Sequence, residues 1–310
     1  MDVIRSPHVL TDARPDTALA IGNFDGLHLG HQALLEQTAH LAERFDLAFA
    51  LMCFEPLPAT FFNPNDPVKR LMSVRDKVIG CRRAGLERLL MLRFNRAFSQ
   101  LSPEAFVQHQ VVQLARARHV IVGEDFRFGA RAAGDVAMLT EFGRQLGFEV
   151  HPVAAVMTGG QRIASTRIRK ALSEGDLAAA EAMLGRRYAI GGRVLRGQQL
   201  GRDLGYATIN LRPPLPPAVH GVYAVRVNGP ASTKLSNHPG VASIGQRPTV
   251  GGVDWLLEVH LFDYDGLLYG QHVEVEFVSH IRAEAYFDSL DAMVERMHED
   301  AKMARTQLQA

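Results

Sequence analysis

The sequence GNFDGLHLGH, residues Gly22 to His31, follows the apolar run Ala18 to Ile21 and precedes a segment whose apolar residues have helical spacing. Glycines let a backbone turn tightly and approach a ligand, and a helix N-terminus offers free N–H groups to an anion. His28 and His31 share one face of the first helical turn. The stretch therefore predicts a strand, a tight turn and a helix that bind phosphate. Two alternatives stay open: ordinary surface histidines, or a metal site, for which no nearby Cys or His supplies a third ligand.

The same order of strand and helix repeats through the first half of the chain. Apolar runs without clean alternation suit strands that are covered on both faces. Such runs lie at 18–24, 47–54, 87–94, 119–123 and 148–156. Between these runs lie two helical patterns, at 29–45 and 73–84, and a Ser-Pro helix start at 102–106. This order predicts an α/β doubly wound, Rossmann-like domain, whose ligands bind beyond the carboxyl ends of the strands.

The second half of the chain has a different pattern. After a predicted helix at 172–185, closed by Gly185, strand-like segments and glycine-rich turns follow one another at 186–195, 221–228, 240–245, 255–263 and 272–281. This spacing favours an antiparallel barrel or sandwich, and one helix beginning near Leu290 ends the chain. RPPLPP at 212–217 is predicted to be a loop between two strands. We place the domain boundary near 184–188, which gives domains 1–185 and 186–310.

Length and composition limit the class of protein. The 310 residues allow two domains, and 47% hydrophobic with 22% charged residues indicates a folded globular chain. A net charge of +1 argues against nucleic-acid binding. Cys53 and Cys81 are the only cysteines, which suggests a reducing compartment and neither structural zinc nor a disulfide scaffold. Without an apolar leader or a run of 18 apolar residues, the chain is predicted to be cytoplasmic and independent of membranes.

Four segments in the first half resemble, in colinear order, the bacterial FAD synthetases of the nucleotidylyltransferase superfamily. GNFDGLHLGH is similar to GxFDGxHxGH, FEPLP (54–58) to FEPxP, VGEDFRFGARAAGD (122–135) to VGxDFRFGxxxxGD, and RIASTRIRKAL (162–172) to ISSTxIR. The resemblance implies transfer of AMP from ATP to FMN. The implied catalytic residues are His28, His31, Ser165, Thr166 and Arg169. Those implied to bind ATP are Gly22, Phe24, Asp25 and Gly30, and those near the flavin are Asp125, Phe126 and Phe128.

The second half is similar to riboflavin kinases. GRVLRGQQLGRDLGYATINL (192–211) resembles GxVxxGxxxGRxLGxPTANL, and GVASIGQRPTV (240–250), LEVHLFDYDGLLYGQ (257–271) and IRAEAYFDSLDAM (281–293) match later kinase segments. The resemblance implies that Thr208 and Asn210 hold Mg²⁺ and ATP phosphates and that Glu258 is the base. Implied ATP contacts also include Gly197, Gly201 and Arg202, and implied flavin contacts are Arg282, Glu284 and Phe287. No P-loop sequence is present, so phosphoryl transfer of the P-loop type is excluded.

Each of these segments, taken alone, has a simpler structural explanation. STRIR could be a capped helix with a solvated basic face, the aromatic residues of GEDFRFG could be core, and a strand glutamate such as Glu258 is usually only solvated. Two departures bear on activity: ATIN replaces PTAN around Thr208, and Ala164 replaces the first serine of ISST. Thr208 and Asn210 are retained, so kinase activity is expected.

Together the motifs predict a bifunctional riboflavin kinase/FMN adenylyltransferase of the prokaryotic family. The enzyme would phosphorylate riboflavin with Mg–ATP to FMN and then adenylate FMN to FAD, releasing pyrophosphate. Its expected partners are riboflavin, FMN and ATP, with no nucleic acid, membrane or obligatory protein partner. Two alternatives remain: an adenylyltransferase whose kinase barrel is degraded, and a flavin-binding protein without catalytic activity.

Overall fold

The computed structural model of the protein describes residues 1–5, 15–196, 206–249 and 252–309. The chain divides into two compact units. One comprises Met1–Val68 and Lys77–Ile163, and the other comprises Lys69–Asp76 and Ala164–Ala310. The second unit therefore includes a short segment that comes early in the sequence. Within that unit the backbone N–H of Arg70 donates to the carbonyl of Pro216 at 2.9 Å.

The first unit contains a six-stranded parallel sheet with the strand order β1-β4-β3-β2-β5-β6. Its strands are β1 (Asp2–Ile4), β2 (Thr17–Ile21), β3 (Ala48–Glu55), β4 (Arg88–Arg93), β5 (Ala117–Gly123) and β6 (Glu149–Val153). The five strands predicted from the sequence are confirmed as β2 to β6. All five residues of β2 are buried, as expected for a strand covered on both faces. Strand β1 was not predicted, because three residues are too few to carry a pattern.

Helices occupy the connections of the parallel sheet. They are α1 (Leu29–Arg44), α2 (Pro58–Phe62), α3 (Val74–Arg83), α4 (Arg96–Ser99), α5 (Pro103–Phe106), a π-helix (Val107–Leu114), a 3₁₀ turn (Ala130–Ala132) and α6 (Val136–Leu146). The helices predicted at 29–45 and 73–84 are confirmed as α1 and α3. The Ser-Pro start is also confirmed, because the Ser102 side chain accepts a hydrogen bond from Ala105 N at 3.2 Å with Pro103 in the first turn of α5.

The prediction of one helix over 172–185 is wrong in its bounds. A two-stranded hairpin, β7 (Met157–Thr158) and β8 (Gln161–Arg162), is followed by two helices, α7 (Ser165–Ser173) and α8 (Leu177–Leu184). Gly175 separates the helices with a left-handed φ of +76°, which glycine adopts without steric cost. Asp176 then caps α8 by accepting from Ala179 N at 2.9 Å. Gly185 ends α8, as predicted.

The second unit contains a six-stranded antiparallel sheet with the order β10-β13-β12-β11-β14-β9. Its elements are β9 (Ala189–Arg193), β10 (Thr208–Leu211), β11 (Gly221–Asn228), β12 (His238–Thr249), β13 (Gly252–Leu261), β14 (His272–Arg282) and the last helix, α9 (Leu290–Leu308). A bridge from Leu195 to Asn210 links the two edges of the curled sheet. The predicted antiparallel barrel and closing helix are confirmed, and RPPLPP lies between β10 and β11.

Candidate functional site

The turn between β2 and α1 lies at the carboxyl end of a central strand, where ligands bind in open α/β sheets. Phe24, Gly26 and Leu27 have left-handed φ values of 48°, 94° and 45°. This turn places Phe24 and Asp25 in the interior, where they are 0% and 1% exposed. A Cβ added at Gly22 would lie 3.0 Å from the Phe24 ring, so the close packing of that ring favours glycine. Strained φ values of this kind cluster at functional sites.

His28 is the N-cap of α1 and is 6% exposed. Its Nδ1 accepts a hydrogen bond from the backbone N–H of His31 at 3.3 Å. In a neutral imidazole the proton is therefore on Nε2, which makes Nε2 the donor nitrogen of the ring. A Cβ at Gly30 would lie 3.2 Å from His28 Nδ1, so glycine at this position leaves room for the ring.

His31 stacks on both aromatic neighbours of the turn. Its ring centroid lies 3.6 Å from that of His28 and 4.7 Å from that of Phe24. Burial, followed by the nearby His28 and Lys77, lowers the pKa of His31 well below 6.5. The neutral ring keeps its Nδ1 buried without a hydrogen-bond partner in the described part of the chain. A buried polar atom of this kind is suited to a ligand contact.

The segment after β5 divides into a charged part and an apolar part. Asp125 receives two hydrogen bonds from the Arg162 guanidinium, at 2.5 and 2.7 Å, and the Arg162 hydrogen bonds lower the pKa of Asp125. Arg162 is therefore paired with an acid that lies 37 residues earlier in the sequence. Phe128 is 6% exposed and its ring centroid lies 5.4 Å from that of Phe106, within the core. Phe126 is partly buried and stacks on Phe128.

Helix α7 begins at Ser165, as predicted from STRIR. Its N-cap is Ala164, which has no side-chain oxygen to bond the first backbone N–H groups. Ser165 is half-buried and Thr166 is exposed. The Arg169 Nε donates to the backbone carbonyl of Lys69 at 2.7 Å. The helix start therefore combines uncapped N–H groups with two hydroxyls, a combination that suits an anion.

In the second unit, strand register brings the kinase motif residues together. Asn210 on β10 is paired with Glu258 on β13, and Glu258 is paired on its other side with Ser243 on β12. Thr208 is paired with His260, two residues along the same face. Leu257 and Val259 are 0% exposed, whereas Glu258 is half-buried. Buried and half-buried residues therefore alternate along this part of β13, and its polar face carries a carboxylate beside an amide and a hydroxyl.

Two families match the chain: FAD synthetase over residues 10–167 and riboflavin kinase over residues 184–308. The bifunctional riboflavin kinase/FMN adenylyltransferase of Escherichia coli K12 is 41% identical over 98% of this chain and 97% of the relative. That of Haemophilus influenzae is 38% identical over 98% of both chains. The chain belongs to the bifunctional riboflavin kinase/FMN adenylyltransferase family.

A solved structure has the same fold as this family member over 98% of both chains. It is described as a macrolide-efflux protein from Streptococcus pneumoniae, with 28% identity and a TM-score of 0.80. No helix in the described ranges of the present chain is long and apolar enough to cross a membrane.

Three motif residues of this bifunctional family member, Gly197, Gly201 and Arg202, lie outside the described residues. The flavin-motif residue Arg282 is held by Asp300, which is 3% exposed. The Asp300 carboxylate accepts hydrogen bonds from Arg282 Nε at 2.9 Å and from Arg282 Nη2 at 2.6 Å. The Arg282 guanidinium also lies 5.7 Å from the centre of the Phe287 ring. Glu284 is exposed and lies over Gly245, where a Cβ would collide with its carboxylate.

Lys77 is a residue of the turn region that sequence reasoning missed. It lies on α3, is 0% exposed, and its Nζ donates to the backbone carbonyl of Asn23 at 2.9 Å. A lysine within a helical pattern is normally taken as exposed. The sequence held one indication of its burial: Lys77 is four residues before Cys81, so the two lie on the same face of the helix, and Cys81 is also buried.

A cleft of about 560 Å³ lies beside α9. It is lined by Tyr206, His298, Ala301, Lys302, Arg305, Thr306 and Gln309. None of them belongs to the site residues that the sequence motifs single out. We therefore assign the candidate sites to the motif residues and not to this cleft.

Proposed function

We infer that the chain phosphorylates riboflavin to FMN and adenylates FMN to FAD, with ATP as co-substrate in both reactions. The observation that carries this inference is the pair of family matches, which together cover most of the chain in the order of the two catalytic halves. The relatives named above carry both activities in one chain and align over nearly its full length.

For adenylyl transfer, a phosphate oxygen of FMN attacks the α-phosphorus of ATP, a new P–O bond forms, and pyrophosphate leaves. Charge builds on the phosphoryl oxygens, so hydrogen-bond donors and positioning supply most of the rate. We propose that His28 donates from Nε2 and that neutral His31 contacts the same phosphates. On α7, the hydroxyls of Ser165 and Thr166 and the guanidinium of Arg169 are proposed to bind phosphate oxygens. Gly22 and Gly30 leave room for the Phe24 and His28 rings, and we propose that the nucleotide binds beside these rings.

The remaining motif residues of the first half are assigned to different parts of the ligand site. Phe24 and Asp25 are buried, and we propose that they shape the ATP pocket from beneath. Asp125, fixed by Arg162, and Phe126 are proposed to border the flavin. Phe128 supports them from the core.

For the kinase step, we propose that Glu258 accepts the proton of the riboflavin 5′-hydroxyl as that oxygen attacks the γ-phosphorus of ATP and ADP leaves. Asn210 beside Glu258, and Thr208 on the same face, provide neutral oxygen donors next to a carboxylate. This donor set fits Mg²⁺, which prefers oxygen ligands. Thr208 and Asn210 would hold the ion, which would neutralise charge on the ATP phosphates. Arg282, Glu284 and Phe287 are proposed to contact the flavin.

We propose domain limits of 1–185 and 186–310 for the two activities, a division by sequence motif that does not coincide with the two compact units. The cytoplasm is the proposed location, supported by two buried cysteines, Cys53 and Cys81, neither of which forms a disulfide.

One incubation tests the function: purified protein with riboflavin, ATP and Mg²⁺, followed by chromatographic separation of the flavins. FAD formed from riboflavin supports both activities. FAD formed only from supplied FMN leaves the adenylyltransferase alone and rejects the kinase. The absence of both products leaves a flavin-binding protein.

Glu258→Gln tests the kinase assignment separately. Loss of a general base typically slows a reaction by about 10² to 10⁴, so FMN formation should fall by that factor while FAD formation from supplied FMN stays within about twofold. Asp254→Asn is the matched control, because Asp254 lies four residues earlier on β13 with the same facing and pairs with Arg212 at 3.4 Å. Equal loss of both activities in a folded Glu258→Gln protein would contradict the assignment.

A further inference from the structure

Two imidazoles and a carboxylate converge on β5 and β6, away from every motif described above. His119 Nδ1 lies 3.0 Å from His151 Nε2 and 3.6 Å from Glu149 Oε2. His151 Nε2 lies 3.7 Å from the same Glu149 oxygen. Among the described residues, this is the one group of His, Cys, Asp or Glu whose ligand atoms come this close together.

The sheet itself produces this arrangement. His119 on β5 is directly opposite Glu149 on β6, and His151 follows two residues later on the same face. His119 is 6% exposed, and its ring stacks on Phe45 with centroids 4.4 Å apart. The partially exposed members, Glu149 and His151, belong to β6, the last strand of the sheet order. The group is therefore anchored by a buried imidazole and open to ions on its outer side.

The cluster is distinct from the ATP-binding turn. Phe45 is the C-cap of α1, whereas His28 is its N-cap. A helix of 16 residues is about 24 Å long, so the two ends of α1 mark two separate places on the unit.

The distances match those of a tetrahedral zinc site. With zinc–ligand bonds of about 2.0 to 2.1 Å, tetrahedral ligand atoms lie about 3.3 to 3.4 Å from one another. The three separations here, 3.0, 3.6 and 3.7 Å, bracket that value. We propose that His119, Glu149 and His151 bind a zinc ion, with water at the fourth position, and that the ion clamps β6 to β5. The two cysteines led us to expect no structural zinc, and the present proposal departs from that expectation because its donor set contains no cysteine.

The charges around the cluster act in opposite directions on a bound cation. Zinc binds neutral imidazoles. Glu149 supplies the negative charge that a divalent cation needs. Arg44 opposes the cation, because its positive charge acts on His119. Its guanidinium lies 5.1 Å from the centre of the Phe45 ring.

The test is zinc titration of the full-length, nucleotide-free protein by calorimetry, supported by Co²⁺ absorption as a probe of tetrahedral geometry. We expect one zinc per chain, a tetrahedral Co²⁺ spectrum and a rise in Tm with zinc but not with Mg²⁺. Because losing an outer-shell partner costs 10- to 100-fold in affinity, losing a direct ligand in His151→Ala or Glu149→Gln should weaken binding by about 100-fold or more. Arg44→Gln should tighten it.

The test uses His151→Ala and Glu149→Gln because these side chains are half-buried or exposed, so their loss should not disturb folding. His119→Ala is avoided because it alters a buried side chain. His28→Ala is the control for the other histidine pair; because His28 is also buried, its circular dichroism spectrum is compared first, and the folded variant should bind zinc as the unaltered chain does. No zinc binding, or binding that survives both His151→Ala and Glu149→Gln, would overturn the proposal. Loss of binding in His28→Ala alone would place the ion at the turn and overturn it as well.

Discussion

Replacing Lys77 by methionine tests how the turn between β2 and α1, which we propose to bind ATP, is held in place. Lys77 is fully buried, and its Nζ donates to the Asn23 carbonyl at 2.9 Å, within the turn that carries His28. Methionine fills a similar volume without the charge or the donor. We expect the substitution to free the Asn23 carbonyl and to misplace His28 and His31 relative to the phosphates.

The size of the effect follows from that one hydrogen bond. A hydrogen bond to a charged group contributes about 1.5 to 3 kcal/mol. If this is the energy that fixes the turn, kcat/KM for FAD formation should fall by about 10- to 150-fold. The Lys77 charge is also one of the three causes that lower the pKa of His31, after burial and His28. The pKa of His31 should therefore rise in the variant but stay depressed.

The assay is FAD formation from supplied FMN and ATP at several pH values, with FMN formation from riboflavin as an internal reference. The acidic limb of the FAD profile should move to higher pH in Lys77→Met, because His31 then takes up a proton more readily. Arg82→Met is the control, since Arg82 is exposed on the same helix and should leave both reactions unchanged.

Two results would refute this reasoning. FAD formation within threefold of the unaltered enzyme would mean that Lys77 only fills space. An equal fall in FMN formation, with a changed circular dichroism spectrum, would mean that the substitution disturbs folding as a whole.

Three further predictions concern stability and flavin binding. Asp300→Asn should lower the free energy of unfolding by about 3 to 5 kcal/mol, because it leaves the Arg282 charge without its buried partner; urea unfolding followed by the single tryptophan, on β13, measures this. Gly245→Ala should change stability by less than about 1 kcal/mol, since the colliding Glu284 side chain is flexible and exposed, but it should raise KM for riboflavin in steady-state assays. Because burial lowers the pKa of His31 below 6.5, the unfolded chain binds a proton that the folded chain does not. The free energy of unfolding should therefore fall by about 1.4 kcal/mol per pH unit as the pH drops from 6.5 towards the folded pKa. In His31→Gln, a plot of the free energy of unfolding against pH should have a slope smaller by that amount over the same range.

The sequence was sufficient for most of the fold because its apolar runs reflect burial directly. Strands covered on both faces, such as β2, have no polar positions to confuse the pattern. The failure at 172–185 came from a continuous run of good helix formers around Gly175. The periodicity of that run does not distinguish one long helix from two short helices separated by a left-handed glycine and a capping aspartate.

The site could be predicted only where its residues are neighbours in the sequence. His28 and His31 were identified from their spacing, and their stacking is a local consequence of the helix start. Asp125 and Arg162 are 37 residues apart, and their ion pair depends on the folded unit. The same is true of Lys77, whose burial arises from packing and whose partner is a backbone carbonyl that no side-chain motif records.

The inclusion of Lys69–Asp76 in the second unit has a practical consequence for separating the two activities. A fragment that begins at residue 186 lacks Arg70, whose backbone N–H bonds to Pro216, and Asp76, whose carboxylate packs over Gly191. It also lacks α7 and α8. No single cleavage of the chain therefore yields two intact halves. Expression of the kinase half alone should require the early segment to be supplied, either as a co-expressed peptide or by circular permutation.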